Sequence, residues 1–351
     1  MRWWCWSTTT PSTSRPSPTR GATCSTPGAA SPASTSSICS LPAVQALVTG
    51  GAGFIGSNIV DSLVDGGHHV RVLDDLSTGY AENVNAEAEL LVGEVVDADL
   101  VARAVEGAEV VFHQAAHRAV LRSVEQPLAT DHANVHGTLT VLKAAADAGV
   151  RRVVYASSSS VYGGADRLPT PESAPTWPRS PYAVTKLTGE HYCRVFAELY
   201  GVETVAMRYF NVYGPRQRPD SAYAAVIPLF IEALRQGVPA RVHGDGKQSR
   251  DFTFIDDVVA ANLAAASAPA ERCSGNAYNI AGGCAYSLLD MLAILGDILD
   301  VEWQTDHGDP RPGDVRHTRA DISAARNDLG HDPEVDFADG LARTVAWFTH
   351  R

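Results

Sequence analysis

TGGAGFIGS, residues 49–57, decides how this chain is read. It follows the apolar run VQALVTG (Val44–Gly50) and opens an amphipathic segment near Ile55–Asp65. A strand that feeds a glycine-rich turn and then a helix aims free N–H groups and the positive end of a helix dipole at one spot, which suits a pyrophosphate. Gly50, Gly53 and Gly56 supply the tight turn, the close backbone approach and the close helix packing, with Phe54 and Ile55 beside them. Eighteen residues after Gly56, Asp74 ends the next strand-like run, HHVRVLDD (His68–Asp75). A carboxylate there accepts hydrogen bonds from an adenosine ribose diol and repels a 2′-phosphate, so the expected cofactor is NAD rather than NADP. Asp74, followed by Asp75 and LSTG, also reads as a strand-end turn.

Working outward, AEVVFHQAA (Ala108–Ala116), VRRVVYASS (Val150–Ser158) and VETVAMRY (Val202–Tyr209) read as further buried strands. Helical stretches lie near Leu100–Val105, Ala133–Ala148 and Tyr182–Tyr200. This alternation predicts an α/β fold, a Rossmann-type doubly wound parallel sheet covered on both faces. Beyond about Phe210 the alternation loosens and Pro and Gly increase, which predicts a smaller, interleaved C-terminal lobe. The expected division is 42–210, mainly the NAD-binding domain, and 211–351, mainly the substrate lobe. Residues 1–41 are rich in Ser, Thr, Pro and Ala and contain no Asp or Glu. Such a stretch cannot bury a core and is expected to be disordered, as a transit segment or the product of a start assigned upstream of the true one. It lacks the continuous apolar segment of a secretory signal.

Composition narrows the function classes. With 28 Lys and Arg against 40 Asp and Glu, the net charge is −12 and no basic block stands out, a poor match to nucleic acid. No apolar run approaches a membrane span. The six cysteines form no CxxC pair, so neither a zinc site nor a redox dithiol is indicated, and a reducing, cytoplasmic setting is expected. The histidines, His113 and His117 among them, are read as packing or polar-wall residues with no metal-spaced set, so no metal is expected.

Tyr182 and Lys186 lie four apart in SPYAVTK, on one face of a helix. A free tyrosine, with a pKa of about 10, is a poor base at neutral pH. A nearby ammonium and a cationic nicotinamide favour its phenolate. Tyr-x-x-x-Lys alone is common on solvated helix faces. Here it follows YASSSSVYG (Tyr155–Gly163), which offers hydroxyls at the C-terminal edge of the sheet, where open α/β sheets bind ligands.

Nine segments in order, TGGAGFIGS, LDDLSTG, HQAAHRAVLRSVEQP, NVHGT, SSSSVYG, SPYAVTK, RYFNVYGPRQRP, QSRDFTFIDD and RPGDVRHTRADI, span nearly all of residues 43–351. They resemble the extended short-chain dehydrogenase/reductase family, NAD-dependent epimerase/dehydratase enzymes, with the UDP-hexose 4-epimerases as the most similar branch. The resemblance implies Tyr182 as base, Lys186 as the group that lowers its pKa and holds the nicotinamide ribose, and Ser158 as a hydrogen-bond partner of the sugar's 4-oxygen. It places Ala115 and Arg118 beside the cofactor, Arg118 near the pyrophosphate, with Asn134 and Tyr209 also on the cofactor side. Glu94 stands where the family usually has an Asp against adenine. Asn211, Arg250 and Arg311 fall where the family grips the UDP diphosphate and ribose, a task suited to arginine's planar fork. Taken alone, Arg250 and Arg311 could equally be surface ion-pair partners, and Asn211 a turn cap.

Within that family the reaction is decided by the step after hydride transfer from sugar C4. Related 4,6-dehydratases carry Asp-Glu just before the VYG triplet, and glucuronate decarboxylases a Glu in that stretch. Here Ser159 and Ser160 occupy those places. The expected activity is therefore 4-epimerisation of a UDP-hexose, with NAD held tightly and regenerated each cycle. Other nucleotide-sugar conversions (glucuronate 4-epimerase, dehydratase, reductase) and a non-catalytic NAD sensor are the alternatives. Thr318 aligns with the residue that walls the sugar's 2-position, and its small size implies room for N-acetyl groups. The resemblance also implies a homodimer through the helices near Ala133–Ala148 and Tyr182–Tyr200.

Overall fold

The computed structural model describes residues 43–164, 167–218, 226–310 and 315–349. The leader expected over 1–41 lies outside them, as does Arg311. Seven parallel strands form the main sheet: β1 (Gln45–Thr49), β2 (His69–Asp74), β3 (Glu89–Val92), β4 (Val110–His113), β5 (Arg152–Ser158), β6 (Glu203–Tyr209) and, after a two-stranded element that includes β7 (Ser249–Asp251), β8 (Asn276–Ile280). Their spatial order is β8-β6-β5-β4-β1-β2-β3. The order reverses between β1 and β4, and such a switch point opens a crevice at the carboxyl ends of the strands.

A sheet covered on both faces needs strands that are apolar on both sides, and β1 shows why the runs are continuous. Ala46 and Val48 join one core with Ile59 and Val60 of helix α1 (Phe54–Asp65), while Leu47 joins the other. That second core takes Val101 of α2 (Ala98–Val105), Val141 and Leu142 of α3 (Gly137–Asp147) and Phe196 of α4 (Pro181–Tyr200). Ser180 caps α4 by accepting the Ala183 N–H at 3.1 Å, Pro181 starts the helix, and Gly201 ends it in the left-handed conformation.

The second half of the chain contributes to these same layers. Helix α5 (Ile255–Ser267) packs beside α1, and β8 pairs along β6 at the sheet edge. The helix expected over Ala133–Ala148 begins instead as a π-helical turn, His132–His136, before α3. This wider turn puts Asn134 on the buried side, a local adjustment that recurs where backbone must serve a site. Among the described residues no helix is long and apolar enough to cross a membrane.

Candidate active site

The crevice at the switch point is lined by Gly50, Gly53, Phe54, Ile55 and Gly56 of the turn, by Asp74, by Ala115 and Arg118, and by Tyr182, Lys186 and Tyr209. The turn exists because its glycines carry no side chains. Gly50 sits at φ +72°, and a Cβ on Gly56 would lie 2.1 Å from the Gly50 carbonyl oxygen. The first intrahelical bond of α1 runs from the Ser57 N–H to the Gly53 carbonyl, so the N–H groups of Phe54, Ile55 and Gly56 just before it are left for an anion. Asp74 serves the turn as well: its carboxylate accepts the N–H of Ala52 at 3.0 Å and of Leu76 at 2.8 Å. Burial pushes its pKa up against those two bonds. A bare backbone cradle, a cation and a strand-end carboxylate together fit a dinucleotide such as NAD. Gly56→Ala is expected to weaken NAD binding by about 5- to 150-fold, since overpacking of about 1–3 kcal/mol falls on the cradle itself. A titration of NAD into both proteins checks this.

The α4 stripe Thr185, Lys186, Gly189 and Glu190 faces inward at helical spacing. The Lys186 amine donates to the Ala156 carbonyl at 2.7 Å, and burial pulls its pKa down to about 7. It stands 6.0 Å from the centre of the Tyr182 ring. Burial pushes the Tyr182 phenol up, while a hydrogen bond with Ser158 and the charge of Arg118 pull it down. The Lys186 amine is committed to the Ala156 carbonyl, and Ser158 and Arg118 are the groups that act against burial on the Tyr182 phenol. Ser158 also accepts from the Ser160 hydroxyl at 2.9 Å.

Behind this set lies a buried polar chain that the sequence did not announce. Arg208 grips both oxygens of Glu190 at 2.9 and 2.7 Å and donates to the Tyr162 hydroxyl at 2.8 Å. Glu190 accepts from Ser157 at 2.5 Å, and Tyr162 donates to Asn279 at 2.7 Å. His113 spans Thr49 and Thr138 at 2.7 and 3.0 Å, and burial lowers its pKa to about 3, so it packs as a neutral ring, in line with its sequence reading.

A second pocket holds Asn211 and Arg250 together with Gln217, Phe230, Arg241 and His243. The Asn211 amide donates to the Asp251 carbonyl at 2.8 Å, and Arg250 donates to the Ser249 and Arg316 carbonyls at 2.9 and 3.2 Å. Thr318 lies alongside β7, its hydroxyl accepting the Asp251 N–H at 3.3 Å, and does not line that pocket.

Three expectations need correction. Asn134 is buried and touches no cleft surface; its amide accepts the His117 N–H at 2.7 Å and donates to the His117 carbonyl and the Thr185 hydroxyl, so it fixes the wall rather than forming it. Glu94 points to solvent, and its neighbours Gly93 and Val95 form the wall, because the chain turns at the end of β3. His132 and His136 do stand four apart, with rings stacked 5.3 Å apart on the exposed π-turn. No third ligand joins them: no cluster of three metal-binding side chains occurs among the described residues. Residues missed altogether include Tyr80, Arg216 and Arg218, which line the cleft. Two of them stood in RYFNVYGPRQRP, where paired arginines around a Gln were the available signal.

Known proteins share this sequence pattern and this fold. The profile of the NAD dependent epimerase/dehydratase family matches residues 46–281. The chain is 41% identical over 315 residues to a UDP-glucose 4-epimerase of Mycolicibacterium smegmatis, covering 88% of this chain and 99% of that protein. Among solved structures, a UDP-N-acetylglucosamine 4-epimerase of Methanobrevibacter ruminantium, in complex with UDP-N-acetylmuramic acid, superposes with a TM-score of 0.84 at 37% identity, covering 88% of this chain and 99% of that one. The UDP-glucose 4-epimerase of Thermotoga maritima, with UDP-glucose, gives a TM-score of 0.84 at 35% identity, covering 87% and 99%.

Proposed function

We propose, given that the chain belongs to the NAD dependent epimerase/dehydratase family, that it inverts C4 of a UDP-hexose through a transient 4-keto sugar. Both UDP-glucose/UDP-galactose and their N-acetylated counterparts fall within the proposal. The observation that carries it is the polar end of β5. Ser158 stands close enough to the Tyr182 phenol to lower its pKa, and the next two residues are hydroxyls, Ser159 and Ser160, in place of an acid or base for eliminating water. Glu190, the carboxylate that reaches Ser157, is held on both oxygens by Arg208.

In this reading NAD rests on Gly50, Gly53, Phe54, Ile55 and Gly56, with Asp74, Ala115, Arg118, Tyr209 and Lys186 around it, and supplies a reversible hydride acceptor. Tyr182 takes the proton of the sugar's 4-hydroxyl and returns it after the sugar has turned. Ser158 holds the 4-oxygen between those events. Asn211 and Arg250, with Arg311 beyond the described residues, hold the UDP diphosphate and ribose, so residues 42–210 serve mainly the cofactor and 211–351 mainly the substrate. A homodimer is part of the proposal: Val184, Val195 and Leu199 of α4 are exposed, as are Leu121, Val124 and Leu128 on the two short helices beside it, an apolar surface that a second copy would cover.

The test is incubation with NAD and, separately, UDP-glucose, UDP-N-acetylglucosamine, UDP-glucuronate or dTDP-glucose, followed by proton NMR of the anomeric signals. The expected result is the C4 epimer of a UDP-hexose without net NADH. A 4-keto-6-deoxy product from dTDP-glucose, with no change in any UDP-sugar, would overturn the reading. Thr318→Tyr is expected to remove activity on N-acetylated sugars selectively; equal loss on both kinds would deny Thr318 its place at the 2-position.

A further inference from the structure

Strand β7 carries two neighbouring residues with opposite fates. Side chains alternate along a strand, so Arg250 lines the second pocket while Asp251 is turned to the interior, 0% exposed. Burial pushes the Asp251 pKa up to about 7, with the N–H groups of Ala320, Gly283 and Gly282 and the charge of Arg319 pulling the other way. A carboxylate out of water is costly unless its neighbours hold it. The direct hold is the Ala320 N–H, which donates to Oδ2 at 3.0 Å. Neither solvent nor ligand reaches this group, so what it contributes passes through the backbone that it holds.

That backbone is the segment 316–320, which runs alongside β7. The Ser249 N–H donates to the Arg316 carbonyl at 3.0 Å, and the Thr318 N–H donates to the Ser249 carbonyl at 3.1 Å. The Asp251 carboxylate adds the last rung of this pairing. The bridge between Thr170 and Ala320 is made by the N–H groups of Thr170 and Asp321, which leaves the Ala320 N–H to Asp251. The segment serves the second pocket directly. The Arg250 guanidinium donates to the Arg316 carbonyl at 3.2 Å as well as to the Ser249 carbonyl at 2.9 Å, so the two backbones together set its direction. On the other flank, the Asp251 carbonyl accepts the Asn211 amide at 2.8 Å, and Asn211 sits at φ +31°, a conformation that surrounding contacts must enforce.

We infer that Asp251 is a positioning residue for substrate binding: its carboxylate pins the segment 316–320 against β7 and thereby sets Arg250 and Thr318 for the UDP-sugar. The inference rests on the UDP-sugar reading above and deepens it by naming what holds the substrate side in shape. Neither β7 nor the segment 316–320 lines the cofactor cleft, so the effect falls on the sugar nucleotide and spares NAD.

UDP undergoes no turnover, and it is titrated by calorimetry into the full-chain proteins, with NAD titrated in parallel. In Asp251→Ala, UDP affinity is expected to fall about tenfold, as the loss of one hydrogen bond to a charged group implies. NAD affinity is expected to stay as it is, and in turnover KM for the UDP-sugar rises while kcat holds within a few-fold. Asp251→Asn keeps an oxygen for the Ala320 N–H and is expected to recover most of the UDP affinity. Asp257 of α5 supplies the comparison: it is buried too, accepts the Glu334 and Val335 N–H groups at 2.9 and 3.4 Å, and lines neither pocket. Asp257→Ala is expected to lower stability and leave UDP affinity unchanged. Wild-type UDP affinity in folded Asp251→Ala, or an equal fall in Asp257→Ala, overturns the positioning role alone. Absence of UDP binding to the wild type overturns it together with the UDP-sugar reading. Where Asp251→Ala does not fold, Ala320→Pro removes the same hydrogen bond from the donor side, and unchanged UDP affinity in that variant overturns the role.

Discussion

Tyr182→Phe is expected to lower kcat by about 10²–10⁴-fold while NAD still binds, the range that general acid–base groups contribute. The substitution removes one oxygen and keeps the ring, so the packing beside Lys186, whose amine stands 6.0 Å from the ring centre, is preserved. What is lost is the phenol whose charged form Ser158 and Arg118 both favour. Burial holds that phenol above its ordinary pKa, and a further positive charge in the cleft would favour its phenolate. Turnover by NMR and NAD titration of the same preparation separate the two effects. A Phe variant that keeps kcat within a few-fold removes Tyr182 from the chemistry, whereas no turnover in either protein with NAD bound supports a non-catalytic NAD-binding protein. A variant that also loses NAD reports damage to the cleft instead.

The parts of the molecule legible in the sequence are those specified by local spacing. A turn needing small residues in a short stretch, a strand buried on both faces and a helix with two functional groups four apart all write themselves into contiguous sequence, and Thr49–Ser57, β1 and the Tyr182–Lys186 pair stand where they were read. Strand β8, sequence NAYNI, escaped because it mixes polar and apolar residues; its place is set by pairing with β6 across a long separation. Edge strand β3 escaped for a related reason, since its half-exposed pattern needs no apolar run. Asn134 looked like a ligand residue from its motif, but its fate was decided by His117 and Thr185, far away in the chain. The same holds for Arg216 and Arg218: two arginines in a loop carry no address until Asp61 and Tyr80 are folded against them.

Arg208→Met should unfold the protein more readily by about 3–5 kcal/mol, the usual cost of breaking one partner of a buried ion pair. Arg208 and Glu190 have side chains that are each 8% exposed, so water cannot replace the lost partner. The guanidinium also satisfies the Tyr162 hydroxyl at 2.8 Å and the Glu172 carbonyl at 3.1 Å, and Met offers neither donor. Glu190 would keep the Ser157 hydroxyl as its partner, with a carboxylate charge left in a poorly solvated space. The double variant Glu190→Gln/Arg208→Met removes that stranded charge and is expected to recover part of the loss, since coupled neighbours are not additive. Urea denaturation of the ligand-free proteins, compared at unchanged m-values, reads both effects. A loss below about 1 kcal/mol in the single variant would mean that the pair behaves like a surface ion pair despite its burial. Because Ser157 precedes Ser158 on β5 and Glu190 lies one helical turn beyond Lys186, the same pair also links the strand that carries Ser158 to the helix that carries Tyr182 and Lys186.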